Sequence, residues 1–181
     1  MSVILAPTID RRLSLRGVLW GVVSSTIYRV IPGPAYRCRR AILVAFGARL
    51  DPTARIRGGV RIFQPWNLTI GRKSSIGEGA IVWAHGPITI GARSVISQYC
   101  FVSSAKIDHE HPCRPQTAGG LTIGDDVWIA TESVVLGGQH VPNGALVGAR
   151  SVVDGPIDEW TIATGHPARS RRERDYQGAK S

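Results

Sequence analysis

Two imidazoles stand in one short polar run, Asp108-His109-Glu110-His111-Pro112. A neutral imidazole within hydrogen-bond reach of a hydroxyl can take its proton as the oxygen attacks a substrate, an effect of about 10²–10⁴-fold in rate. A neighbouring carboxylate, Asp108 or Glu110, can orient the ring and fix its tautomer. His109 and His111 are both candidates for such a base; the rival reading makes both solvated loop residues. His140 falls in the turn Gly137-Gly138-Gln139-His140-Val141-Pro142 and is read as a surface residue. Cys38, Cys100 and Cys113 have no paired spacing, so neither a disulfide framework nor a metal site is expected.

What must position those imidazoles is a repeat. Ile123, Ile129, Val135, Val141, Val147 and Val153 recur every six residues. A step of six fits neither a 3.6-residue helix nor a two-residue alternation. It is the signature of short strands joined by turns, with three hexads closing one triangular coil of about 18 residues. One coil cannot bury its own apolar side, so several must stack. The same phase runs through Ile70, Ile76, Val82 and Ile88, slips by two, and resumes at Ile90, Ile96 and Val102. Thr-Ile-Gly recurs at 69–71, 89–91 and 122–124, each time opening a coil. The long last interval implies that 103–120, which holds the imidazoles, is a loop ejected from the scaffold, a usual place for function.

Three parts follow: an arm with amphipathic helices over 1–50 capping the prism, a β-helix over 51–168, and a charged, disordered tail over 169–181. Leu15, Val18, Leu19, Val22, Val23, Thr26 and Ile27 recur at helical spacing. After Pro32-Gly33-Pro34 a second helix is predicted over 35–46, with Arg37, Arg39 and Arg40 outward and Ile42, Leu43 and Phe46 inward. The net charge of +9 is N-terminal: residues 1–61 hold eleven arginines against Asp10 and Asp51. That excess suits anionic lipid, nucleotide phosphates or an acidic polymer, or else a solvated face and a subunit contact. No aromatic-basic platform accompanies it, so nucleic acid is not an expected partner. No cleavable leader or spanning segment is read, which gives a cytoplasmic location with contact at the inner membrane face left open.

The hexads, with Ile123-Gly124-Asp125-Asp126-Val127-Trp128-Ile129, Val147-Gly148-Ala149-Arg150-Ser151-Val152 and Gly165-His166-Pro167-Ala168-Arg169, resemble the hexapeptide-repeat acyltransferases. Phe46-Gly47-Ala48, Pro65-Trp66-Asn67-Leu68, Ile76-Gly77-Glu78, Gly86 to Gly91 and Val95-Ile96-Ser97-Gln98 narrow the likeness to the colanic acid biosynthesis acetyltransferase group. The similarity covers about 19–169. It implies an all-β fold, a left-handed parallel β-helix of triangular coils with N-terminal α-helices and one long extruded loop. It also implies a homotrimer with acetyl-CoA between two prisms and acetyl transfer to a saccharide acceptor.

The resemblance assigns the amide of Thr131 to the thioester or its oxyanion and the amide of Ala149 to the pantetheine arm. Trp128 would flank the cofactor, or pack between subunits. Arg150 and Arg169 would meet its phosphates, or be ordinary surface arginines; Gly165 and Pro167 would shape the last turn beside the adenine. Trp66, Asn67, Trp83 and His85 would line the acceptor pocket, or pack against the helices. One departure stands out: the family's base position, counted without gaps, falls on Ile107, so His109 or His111 is reached only through an insertion. The leading function is O-acetylation of a sugar hydroxyl of an exopolysaccharide or its precursor. N-acylation of an amino sugar or nucleotide-sugar, and a catalytically silent trimeric scaffold, are the rivals.

Overall fold

The computed structural model describes residues 14–32, 34–107, 112–113 and 116–176. The arm before Ser14 and both loop imidazoles, His109 and His111, lie outside the described residues.

The hexad aliphatics form short parallel strands on three faces. The first face stacks Arg49–Leu50, Leu68–Ile70, Ile88–Ile90, Leu121–Ile123 and His140–Val141. The second stacks Arg55–Ile56, Ser75–Ile76, Val95–Ile96, Trp128–Ile129 and Leu146–Val147, and the third Arg61–Phe63, Ile81–Trp83, Phe101–Ser103, Val134–Val135 and Val152–Val153. Each inward residue pairs with its equivalent one coil away: Ile76 with Ile96, Ile96 with Ile129, Ile129 with Val147. All four are fully buried. At the corners, small inward residues bind the neighbouring coil instead. Ser94 Oγ donates to Gly124 O at 2.7 Å and accepts from Val127 N at 3.0 Å, so the interior carries satisfied hydroxyls as well as methyls.

Three residues after many inward aliphatics the backbone turns with positive φ. Glycine takes that position at Gly59, Gly79 and Gly144, but Lys73, Arg93, Tyr99, Asp126, Glu132 and Arg150 take it with full side chains. Such residues enter the left-handed region at a cost of about 1–2 kcal/mol each, which the surrounding ladder offsets.

The two-residue slip has a place. It is the corner from the third face to the next coil's first face, where Gln64–Asn67 and Ala84–Pro87 add two residues and 104–120 adds far more. There Ala105–Ile107 and Gln116–Ala118 pair antiparallel, so the ejected loop stands on a hairpin stem. The corner leading to His140 is tight.

The ends differ from the sequence reading. The stack begins at Arg49, whose partner is Thr69. Residues 169–173 are not a disordered tail: Ala168–Glu173 is a strand paired antiparallel with Thr161–Gly165, which itself continues the second face on Leu146–Val147. The pattern that fades after Val153 in sequence thus makes one more strand before the chain turns back.

The first helix, Leu15–Ser25, is capped by Ser14 Oγ, which accepts from Gly17 N at 3.1 Å. Its facing differs from the predicted stripe, of which Val23 packs against the core. Leu15, Val18, Leu19 and Val22 are 46–77% exposed, whereas Trp20 and Tyr28 are buried. Trp20 Nε1 donates to Ile62 O at 2.9 Å, and its ring meets Tyr28 edge-on at 5.6 Å. Two large rings with one anchoring hydrogen bond decide the facing, against an aliphatic stripe. The helix Tyr36–Ala45 lies on the first coil through Leu43. Arg39, expected outward, is 1% exposed: its guanidinium donates to Ile31 O at 2.6 Å and Pro32 O at 2.7 Å, tying the turn between the helices. Among the described residues no helix is long and apolar enough to cross a membrane.

Candidate functional site

The corner between the second and third faces gathers most of the residues assigned to the cofactor. Gln98, Thr131, Ala149 and Gly165 each follow an inward residue of the second face by two places, so they stack along one edge of the prism. At the corner between the first and second faces the equivalent amides are satisfied. Ala92 N donates to Asp125 Oδ1 at 2.7 Å and Asp125 N to Asn143 Oδ1 at 2.8 Å. The amides of Thr131 and Ala149 have no such acceptor among the described residues. An edge of unspent N–H donors is what a thioester oxyanion and an amide-bearing arm require.

The side chains along the edge are ordered from within. Trp128 is 45% exposed on the second face, and its Nε1 donates to Ser97 Oγ at 3.0 Å. Thr131 Oγ1 donates to Gln98 O at 3.0 Å. Arg150 does not stand free: its Nε donates to Glu132 Oε2 at 2.7 Å, and that carboxylate raises its pKa. A phosphate there would compete with Glu132. Gly165 N donates to Ser151 Oγ at 3.1 Å, and the His166–Pro167 bond that follows in the same turn is cis. Arg169 is exposed and spends one N–H on Ala168 O at 3.0 Å.

The acceptor candidates sit elsewhere, at the wide corner that leaves the third face. Trp83 lies between Phe63 and His85, with ring centroids at 4.4 and 5.0 Å. Asn67 is spent on the corner itself, its Nδ2 donating to Ala84 O at 2.8 Å. Arg16 of the first helix lies over Trp66 at 4.7 Å. His85 has its pKa lowered by burial. It stands at the root of the hairpin, where Gly86 N donates to Ser104 Oγ at 2.8 Å. The stem strand ends at Ile107, paired with Gln116, so the undescribed imidazoles follow directly from this corner. His140 is exposed on the first face, away from both groups.

The structure therefore brings the acceptor candidates and the hairpin stem to one edge of the third face and the donor candidates to the other. Sequence reasoning missed Tyr28, Phe63 and Tyr99, which line the space between the first helix and the prism. No spacing signal marks them, because the docking of the helix brings them together. Among the described residues no group of three or more His, Cys, Asp or Glu could hold a metal ion.

No family model matches the chain. It is 36% identical over 156 residues, 86% of each chain, to WcaF of Escherichia coli K12, a protein named for acetyl transfer in colanic acid biosynthesis. Among solved structures it resembles a maltose O-acetyltransferase from Clostridium difficile 630, with a TM-score of 0.79 at 20% identity over 92% of this chain and 90% of that one. It also resembles a hexapeptide-repeat acetyltransferase of Vibrio cholerae solved with acetyl coenzyme A, with a TM-score of 0.77 at 22% identity over 89% and 88%. The stacked hexads are therefore a left-handed parallel β-helix, and the chain belongs to the hexapeptide-repeat acetyltransferases.

Proposed function

We propose that the chain transfers an acetyl group from acetyl-CoA to a hydroxyl of a sugar bound for an exopolysaccharide, working as a homotrimer. The observation that carries this reading is the pair of unspent amides at Thr131 and Ala149, stacked on one edge beside Trp128. They would receive the thioester oxyanion and the pantetheine amide, with Arg150 and Arg169 toward the phosphates and Gly165 and Pro167 at the adenine end. An imidazole of the loop, His109 or His111, takes the proton of the sugar hydroxyl. The new O–C bond forms, the C–S bond breaks, and the leaving thiolate receives the proton.

The donor edge and the hairpin stem bound opposite sides of the third face, which supports a site shared between two copies. A second copy would bring its loop against the first copy's edge, and a closed ring of three satisfies every edge. Any contact with a membrane surface would fall on the exposed Leu15, Val18, Leu19 and Val22 of the first helix.

The test is subunit complementation. His109→Ala combined with His111→Ala, and separately Ala149→Trp, should each abolish thiol release from acetyl-CoA in the presence of acceptor. Co-refolding the two variants should restore part of the activity, since some interfaces then carry an intact loop and an intact edge. Full turnover by the double histidine variant would remove the loop base; no recovery on mixing would remove the shared site.

A further inference from the structure

A hollow of about 900 Å³ lies between the first helix and the outer surface of the third face. Gly17, Gly21 and Ser24 leave room on the helix side, and Phe63, Trp66 and Tyr99 supply ring surface. Two atoms in its lining are chemically incomplete. Tyr28 is 5% exposed and its Oη has no hydrogen-bond partner; His85 Nδ1 is likewise buried and unpartnered. A buried polar atom left in this way costs about 1–3 kcal/mol, which a bound ligand can recover. Both belong to residues that line the one hollow.

Charge narrows the ligand. Arg29 and Arg61 also line the hollow, both are exposed, and neither guanidinium meets an acceptor among the described residues. Paired guanidiniums suit phosphate oxygens. The volume is near the upper end of the roughly 300–1,000 Å³ of small-molecule pockets, more than a single sugar ring fills.

We infer that this hollow binds the acceptor as a diphosphate-linked sugar. The ring lies on the aromatic floor with hydroxyls toward Tyr28 Oη and His85, and the diphosphate meets Arg29 and Arg61. The inference rests on the acetyltransferase reading above only for the acceptor's being a sugar. His85 stands at the root of the hairpin, so a hydroxyl held there is beside the stem from which the chain runs on to His109 and His111. Acetylation would then precede polymerisation, on a sugar still attached to its nucleotide or lipid carrier.

Two variants test it. A Cβ built at Gly21 meets nothing within 4 Å, so Gly21→Leu extends into the hollow without a backbone clash, and leucine is the better helix former. Arg29→Gln with Arg61→Gln removes the charge alone. The probes are uridine diphosphate galactose, guanosine diphosphate mannose, a farnesyl diphosphate-linked N-acetylglucosamine and the matching methyl glycosides, with acetyl-CoA affinity by calorimetry as the control. The wild type should bind at least one diphosphate sugar tenfold or more above its methyl glycoside. The double arginine variant should erase that preference, and Gly21→Leu should abolish acceptor binding with acetyl-CoA affinity unchanged. A preference confined to the farnesyl probe identifies a lipid carrier; one confined to the nucleotides, a nucleotide carrier. Equal binding of neutral and diphosphate sugars, or full acceptor binding by Gly21→Leu, overturns the inference. A wild type that binds no acetyl-CoA would instead refute the transferase reading.

Discussion

Two corners of the same prism are built on opposite rules. Between the second and third faces every coil turns in the same number of residues, and Gly59, Gly79, Tyr99, Glu132 and Arg150 repeat one backbone conformation down the edge. Between the third and first faces no such uniformity holds. The corner is wide at Gln64–Asn67 and Ala84–Pro87, opens into a hairpin after Ser104, and is tight before His140. The uniform edge offers the same donor groups coil after coil, which suits an extended cofactor. The irregular corner offers each side chain once, which suits a particular acceptor.

That contrast can be broken from either side. The largest effect should come from the ladder that keeps the uniform edge in register. Ile129→Ala leaves a cavity between Ile96 and Val147 and should cost about 2–5 kcal/mol, read as a shift in the urea midpoint. Gly144→Ala comes next: its φ is +68° and a Cβ would run into the Trp160 ring. It should cost about 1–3 kcal/mol in the same measurement. Replacing 106–117 by a short Gly-Ser link attacks the irregular corner. It should leave the melting temperature of the prism within a few degrees and remove thiol release from acetyl-CoA.

A smaller effect sharpens the comparison through pH. At the corner between the first and second faces, Arg93 Nε donates to Asp126 Oδ1 at 2.7 Å, and that hydrogen bond holds the Asp126 carboxyl below its usual value of 3.8. A carboxylate depressed in the folded state contributes stability above its unfolded pKa and loses it as pH falls through the folded one. The urea midpoint of the wild type should therefore fall below about pH 4, and that of Asp126→Asn should fall less over the same range. The smallest change should be Lys73→Gly. It relieves a positive φ of 56° but adds freedom to the unfolded chain, so the two should cancel to within about 1 kcal/mol.

The six-residue step alone placed Ile123, Ile129, Val135 and their equivalents inside, because a buried ladder leaves a periodic trace. The ejected loop was legible too, as surplus length between Val102 and Ile123, whereas the paired stem at its root was not. The facing of the first helix was not. Leu15, Val18, Leu19 and Val22 make the stronger stripe, yet Trp20 and Tyr28 win through ring area and one hydrogen bond to Ile62. A pattern of hydrophobicity weights residues evenly and cannot register that. Arg39 misled for the same reason, since a guanidinium surrounded by carbonyls at Ile31 and Pro32 looks in sequence like any solvent-facing arginine. In the candidate site, Trp128, Thr131 and Ala149 were named by resemblance, and they lie along one edge because they ride on the ladder. Tyr28 and Tyr99 were not, because their approach to one hollow depends on how a separate helix docks.

The antiparallel return of Ala168–Glu173 against Thr161–Gly165 has a consequence for length. Parallel coils stack about 4.8 Å apart and each could template another; a strand that folds back offers no such template, so it ends the column at a set height. Inserting or excising one coil between the hairpin and that terminus would slide the upper part of the edge by one rung while leaving every rung internally intact. Read this way, the stack is a ruler, and the number of coils above the loop sets how far a cofactor must reach.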